Sequence, residues 1–529
     1  MAAPMTQEAS PDAEDGAVES GADRDARRDA RGGHTGLFRA FWRWHFYASL
    51  LVVPVFAILA VTGLMMLCKW WIDPIQEPAL RYAPPAYGAM QPLSVQEKAA
   101  LAGREGATVT AVQTAAEDRS TYFTLTTADN RTLNVYVDPY TGKVLGEHNP
   151  DTLLSNVASQ IHGTILFGDP AKAELGTDPF SQEPFTVGSF GDRLIETATC
   201  WSIVMALTGY YLYWRGRTAR AAAVAKRAAG ALTRSRHAKV GAIAGVAILF
   251  MVVSALPWTG LFGHTFQRFA TGTSLSMWGN DPGATSNLGA KLVAAGSNSL
   301  PAPWAEGAAP LPTSGSQNGN DMPGMPGMGA TPGSTGTGTA MRIGIDVVMA
   351  AAARDGLTGP LYIAYPAKAD DVFSAMTDMW HDKAATAFGD VGKERVVHID
   401  QYSGAVAGRY SYDQYSPVAK AVSQGIALHE GQRFGPLSFW ASFLFCVAVI
   451  FLCVTAPIMW WRRRRSGLDA PRGHLPIRST PWLIAALVIL GVVFPLFGLT
   501  LVLVLLADKV LIRRSARLAT ILNSTPAPR

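Results

Sequence analysis

The sequence predicts an all-α transmembrane helical bundle of four core helices plus a C-terminal hydrophobic segment, with two small α+β outer domains and an internal two-fold repeat. Three observations carry this. Five apolar runs each reach the ~20 residues that a helix needs to cross a hydrocarbon core. Arg and Lys gather at alternate ends of those runs. Two matching strand–turn–strand signals stand between them.

The runs are Phe46–Cys68, Leu194–Trp214, Val240–Phe262, Leu437–Trp461 and Trp482–Ala507. They account for a chain of 529 residues with only 16% charged side chains, well below the ~25% of soluble proteins. The first run starts too late and is too long to be a cleaved signal peptide. Basic residues near the helix ends set orientation. Arg39 and Arg43 precede the first run, Arg215, Arg217, Arg220 and Lys239 separate the second from the third, and Arg462–Arg465 follow the fourth. These segments are expected in the cytoplasm, and residues 69–193 and 263–436 outside. The net charge of +5 is thus a topology signal, with no nucleic-acid patch in it. The fifth run breaks the rule if it crosses, because Lys509, Arg513, Arg514 and Arg517 follow it. Pro495 and Gly498 mark a kink in it, and one kinked span is expected.

The boundaries follow in order. Residues 1–36 read as a disordered tail, 37–68 as the first helix, 69–157 as the first outer domain, and 158–214 as an outer histidine motif with the second helix. A basic loop (215–236) leads to the third helix (237–262) and a Gly/Pro/Met-rich linker (263–340). The second outer domain (341–424), a second histidine motif with the fourth helix (425–461), a basic loop (462–480), the C-terminal segment (481–507) and a tail (508–529) complete the chain.

The repeat is visible in paired motifs. "VTGL" (Val61–Leu64) answers "WTGL" (Trp258–Leu261), and "IHGTILFG" answers "LHEGQRFG". "TLNVYVDPYTGKVLG" (Thr132–Gly146) answers "RVVHIDQYSGAVAG" (Arg395–Gly408). In both, period-two patterning leads into an Asp/Gly turn, so Asp138, Gly142, Asp400 and Gly404 are expected to form turns. Cys68, Cys200, Cys446 and Cys453 all lie in apolar runs, so no disulfide is expected in the outer loops. The absence of C-x-x-C-H excludes covalent c-type haem.

Four histidines occupy related places. His45 and His237 open the first and third helices at the cytoplasmic face, and His162 and His429 precede the second and fourth at the outer face. Ionisable groups at membrane depth are functional candidates by default. Two imidazoles facing each other across a bundle can ligate iron axially. Gly63, Gly163, Gly209, Gly241, Gly245, Gly260 and Gly431 leave space for a flat macrocycle between helices. A bis-histidine haem at each face is a wire across the bilayer. Zinc fits less well, since it takes three or four protein ligands and each level offers two, with Glu430 read as interfacial. His264 competes for the outer level, and Arg43 and Arg433 are candidate propionate partners. His34, His148, His381, His398 and His474 are read as surface histidines of tails and loops. Met322, Met325 and Met328 could bind Cu(I), although a flexible linker with incidental methionines fits better.

With these motifs in view, "RAFWRWH" to His45, the two D-x-Y-[ST]-G hairpins, "IHG", "RSRH" and "LHEG", the chain resembles the PepSY-associated transmembrane family over residues 37–510. That family is similar to di-haem reductases of the bacterial inner membrane that act on siderophore-bound iron. The resemblance implies PepSY-like periplasmic domains and two b haems, one on His45 with His237 and one on His162 with His429. It implies electrons passing to a ferric siderophore or other periplasmic acceptor. No nucleotide or flavin motif is present, so a quinol or cytosolic donor is expected. The linker and the extra C-terminal run depart from the family pattern. Two other readings stay open: a non-catalytic module that binds or regulates a periplasmic partner, and a copper-handling or transport protein.

Overall fold

The computed structural model describes residues 21–85, 88–116, 118–165, 173–177, 184–187, 190–256, 259, 261–263, 266, 342–368, 371–377, 391–464, 468, 480–512 and 514–522. The Met322, Met325 and Met328 segment, His264, His381 and His474 lie outside these residues, as does most of the 263–340 linker. The described helices in chain order are α1 (Gly21–Leu67), α2 (Lys69–Gln76), α3 (Pro78–Arg81), α4 (Leu93–Leu101), α5 (Leu154–Thr164), α6 (Phe190–Arg215), α7 (Arg217–Ala225) and α8 (Ala231–Ala255). They continue as α9 (Ile345–Arg354), α10 (Pro417–His429), α11 (Pro436–Arg463), α12 (Pro481–Val493), α13 (Pro495–Ala507) and α14 (Ala516–Ile521).

Among the described residues, four helices are long and apolar enough to cross a membrane: Gly36–Leu67 within α1, then α8, α11 and Pro495–Ile512. α6 has 26 residues, about 39 Å of helix, but Thr, Ser, Tyr and Trp make it more polar than those four. It packs against α1 and α8, while α11 closes the ring against α8 and α1. Glu196, Thr199, Ser202 and Thr208 of α6 are buried there. Apolar side chains instead face outward on the other helices: Ile243 is 79% exposed, Leu437 74% and Val492 75%. A multi-pass membrane protein satisfies both faces, because lipid takes up the outward apolar surface. α1 starts fifteen residues before the expected boundary at residue 36; Ala and Arg in "GADRDARRDARGG" favour helix over coil.

The last apolar run is a hairpin, not the single kinked span expected. Its helix breaks at Phe494, where Pro495 lacks the N–H that would continue the ladder. The backbones of Gly491 and Gly498 meet at the reversal, so closely that a Cβ on Gly498 would lie 3.1 Å from the Gly491 Cα. α13 then packs on α6: the Trp201 indole donates to Thr500 Oγ1 (3.0 Å), and Phe497 is buried beside Trp201. Near the C-terminus, Tyr47 donates to the Leu522 carbonyl (2.6 Å). The hairpin therefore returns its basic tail to the end of the bundle where α1 arrives, called here the tail end.

At the other end lies a sheet. The strands are β1 (Thr108–Gln113), β2 (Thr121–Thr126), β3 (Thr132–Val137), β4 (Val144–His148), a separate β5–β6 pair (Ala173–Thr177, Pro184–Val187), β7 (Leu361–Ala364), β8 (Val372–Thr377), β9 (Arg395–Asp400) and β10 (Val406–Ser411). The two expected outer domains are one: an eight-stranded antiparallel sheet in the order β10-β9-β8-β7-β1-β2-β3-β4. β1 joins β7 with Val112 opposite Ile363. Each four-stranded meander alone would leave a long apolar edge open, and pairing the two edges closes it. α4 and α9 lie together on the sheet, and their apolar residues share a single core with Phe123, Leu125, Val135, Phe373 and Ile399.

The turn residues behave as expected. Asp138 accepts from the N–H of Tyr140 (2.9 Å), and Asp400 from Tyr402 (2.9 Å) and Ser403 (2.8 Å). Gly142 and Gly404 sit at φ +72° and +69°. A Cβ on Gly404 would also lie 3.1 Å from Val347. Gly404→Ala is expected to destabilise the sheet region by about 1–2 kcal/mol, and Gly142→Ala by less, read as thermal unfolding of the detergent-purified protein. Equal losses would show that backbone strain acts alone.

Candidate functional site

Each of the four histidines reaches a hydroxyl on a neighbouring helix. His45 of α1 places Nδ1 2.9 Å from the Met205 carbonyl and 3.3 Å from Thr208 Oγ1, both on α6. His237 of α8 meets Thr455 Oγ1 of α11 at 2.8 Å. His162 of α5 meets Thr62 Oγ1 of α1 at 2.9 Å, and His429 of α10 meets Ser254 Oγ of α8 at 2.9 Å.

Each of these hydroxyls donates to a carbonyl of its own helix. Thr62 donates to Ile58 O (2.8 Å), Thr208 to Val204 O (2.7 Å), Thr455 to Phe451 O (2.7 Å) and Ser254 to Met251 O (3.0 Å). Such back-bonding to the preceding turn is common for Ser and Thr in helices. Toward the imidazole, each oxygen can then only accept. His45 donates from Nδ1, because the Met205 carbonyl can only accept; with the hydroxyls so engaged, the same tautomer suits His162, His237 and His429 and leaves Nε2 for a metal. That is how a metal-ligating histidine is held when its second nitrogen is fixed by an outer partner.

The sites form two levels. Seventeen residues separate His45 from Thr62 on α1, and seventeen separate His237 from Ser254 on α8. At ~1.5 Å per residue the levels stand about 25 Å apart. His45 and His237 are near enough to interact electrostatically at the tail end, as are His162 and His429 at the sheet end. Among the described residues no three His, Cys, Asp or Glu side chains converge on one point. A zinc site of three or four protein ligands is thus not built from them, whereas two opposed imidazoles suit the axial positions of a haem iron.

Two glycines have a different task from the one expected. They admit histidines: a Cβ on Gly63 would lie 3.3 Å from His162 Cε1, and one on Gly209 3.1 Å from His45 Cε1. Gly245 faces the Tyr210 hydroxyl, Gly431 faces Leu67 and Ser442, and Gly163 has open space. Arg43 stacks over Tyr47 at 5.1 Å, Arg433 bonds Gln424 and stacks over Phe434, and Glu430 accepts from Gln432.

Sequence reasoning passed over Glu196 and read His148 and His398 as surface residues. Glu196 is 0% exposed, and its carboxylate accepts from the N–H groups of Leu261 (2.9 Å) and Phe262 (3.2 Å), tying α6 to the chain beyond α8. His398, expected on the surface, is 1% exposed on β9 and paired with Ser374 at 2.9 Å. His148 lies on β4 and joins a buried network: its Nδ1 is 2.7 Å from Glu77, which also accepts from Arg81 and Tyr136. Polar residues inside apolar or alternating runs were the available signal.

Spanning helices that carry two levels of paired, outward-tied imidazoles beneath an antiparallel sheet define a multi-pass membrane protein with sites suited to a metal cofactor. Residues 42–463 match the model of the PepSY-associated TM region, and the chain belongs to that family. A comparison with curated proteins found no match.

Proposed function

We propose that the chain is a di-haem b electron-transfer protein of the bacterial inner membrane, passing electrons to a periplasmic acceptor and reducing ferric siderophore or ferric iron in iron uptake. The observation that carries this is the shared setting of four histidines, each with Nδ1 at a hydroxyl of a neighbouring helix, in two pairs near enough to interact. His45 and His237 would hold one haem and His162 and His429 the other; haem supplies reversible one-electron chemistry. Held by two histidines each, the haems would serve as electron relays and not as oxygen-binding sites. The basic ends of the helices support a cytoplasmic N-terminus and a periplasmic sheet. The helix-and-four-strand order found twice supports the internal repeat.

The residues divide the work. The imidazoles would hold iron, the hydroxyls hold the imidazoles, and the buried Val52, Ile248 and Val449 make the space between the levels apolar. A quinol or cytosolic reductant would serve as donor. Purified protein is expected to be red, with a b-type spectrum that sharpens on reduction and two haems per chain. Colourless protein from cells with ample haem would sink the proposal. The continuous sheet favours a second reading, a platform that binds or regulates a periplasmic partner, for which alanine at all four histidines would leave function intact.

A further inference from the structure

Every helix of the ring carries one hydroxyl that receives a histidine, and the residue after it differs systematically. On α1 and α6 it is glycine: Thr62-Gly63 and Thr208-Gly209. On α8 and α11 it is alanine: Ser254-Ala255 and Thr455-Ala456. Where glycine follows, the imidazole settles against the helix, with Cε1 at 3.1–3.3 Å from where a Cβ would stand. His45 also reaches a backbone carbonyl three residues before its hydroxyl, Met205 O at 2.9 Å, and the Leu59 carbonyl, in the same position relative to Thr62, acts electrostatically on His162. His237 and His429, facing the alanine helices, have the hydroxyl as the acceptor described for Nδ1.

We infer that each haem is held asymmetrically, by one imidazole with a carbonyl and a hydroxyl behind it and one that depends on a hydroxyl alone, so that Ser254 and Thr455 are positioning residues that set the reduction potentials. This rests on the haem reading above. The physical link is ligand basicity. An Nδ1–H that donates to an acceptor pushes electron density to Nε2, which favours ferric iron and lowers the potential. Removing the sole acceptor strands a buried N–H and weakens that push. Removing one of two acceptors leaves the carbonyl in place.

The test is a spectroelectrochemical titration of the purified holoprotein and four variants. Ser254→Ala is expected to raise the potential of the sheet-end haem only, and Thr455→Val that of the tail-end haem only. Thr62→Val and Thr208→Val are expected to move either wave far less. The waves are assigned with His162→Ala, which removes the sheet-end haem. Equal shifts from all four substitutions, or none from Ser254→Ala and Thr455→Val, would overturn the asymmetry. If a hydroxyl-free variant loses its haem outright, Thr455→Ser and Ser254→Thr must keep theirs; loss in both members of a pair counts against a role for the hydroxyl. A haem-free parent protein would instead defeat the haem reading itself, so the two failures are distinct.

Discussion

On the proposed di-haem assignment, alanine at His162 or at His429 is expected to halve the haem content, from two per chain to one, and to leave the remaining spectrum unchanged. The same holds for His45 or His237 at the other level. The two members of a level interact with each other, and the levels stand about 25 Å apart along α1 and α8. Loss of one imidazole would leave the haem of that level with one histidine to hold it. Double variants sharpen the expectation through non-additivity. His162→Ala with His429→Ala should cost no more haem than either alone, whereas His162→Ala with His237→Ala should remove both. Haem per chain, measured by absorbance against protein concentration, decides it. A loss of both haems from any single substitution would mean that the pairs are not independent sites.

The parts of this molecule that were legible in the sequence are those written in local pattern. Apolar runs longer than a bilayer is thick announced the helices, and Arg and Lys sorted His45 and His237 from His162 and His429. The D-x-Y-[ST]-G turns could be read because Asp138 and Asp400 bond their own neighbours. What escaped was non-local. Nothing in β1 marks β7, some 250 residues later, as its partner; the pairing follows from two apolar edges that need covering. Thr62, Thr208, Ser254 and Thr455 carry no signal in their own segments, since their histidines arrive from other helices. Pro495 flagged a break but not its sharpness, which depends on Gly491 and Gly498 meeting without side chains. His398 was misplaced because a histidine in a strand reads as solvent-facing unless its buried partner, here Ser374, is known.

Arg81→Ala is expected to be the most damaging substitution outside the membrane bundle. Two acidic side chains are buried where α2 and α3 carry the chain from α1 toward the sheet, Asp73 and Glu77. The Arg81 guanidinium lies 2.9 Å from Glu77 and 3.9 Å from Asp73. Burial opposes the guanidinium charge, but Tyr136, Glu77 and Asp73 outweigh it and hold its pKa above the ordinary arginine range. The same burial pushes the Tyr136 hydroxyl well up, so it stays a donor to Glu77. Without Arg81 two buried carboxylates lose their cation, a change that costs roughly 3–5 kcal/mol. Glu77→Gln in the same chain should recover part of that loss, giving a coupling energy by double-mutant cycle. The damage has a direction. Ser155 of α5 donates to Asp73 (2.9 Å), and His162 stands two turns further along the same helix. On the di-haem proposal, heating Arg81→Ala should therefore release the sheet-end haem at a lower temperature than the tail-end haem, whose histidines lie on α1 and α8. Simultaneous release would mean that the network steadies the sheet without holding α5 in register.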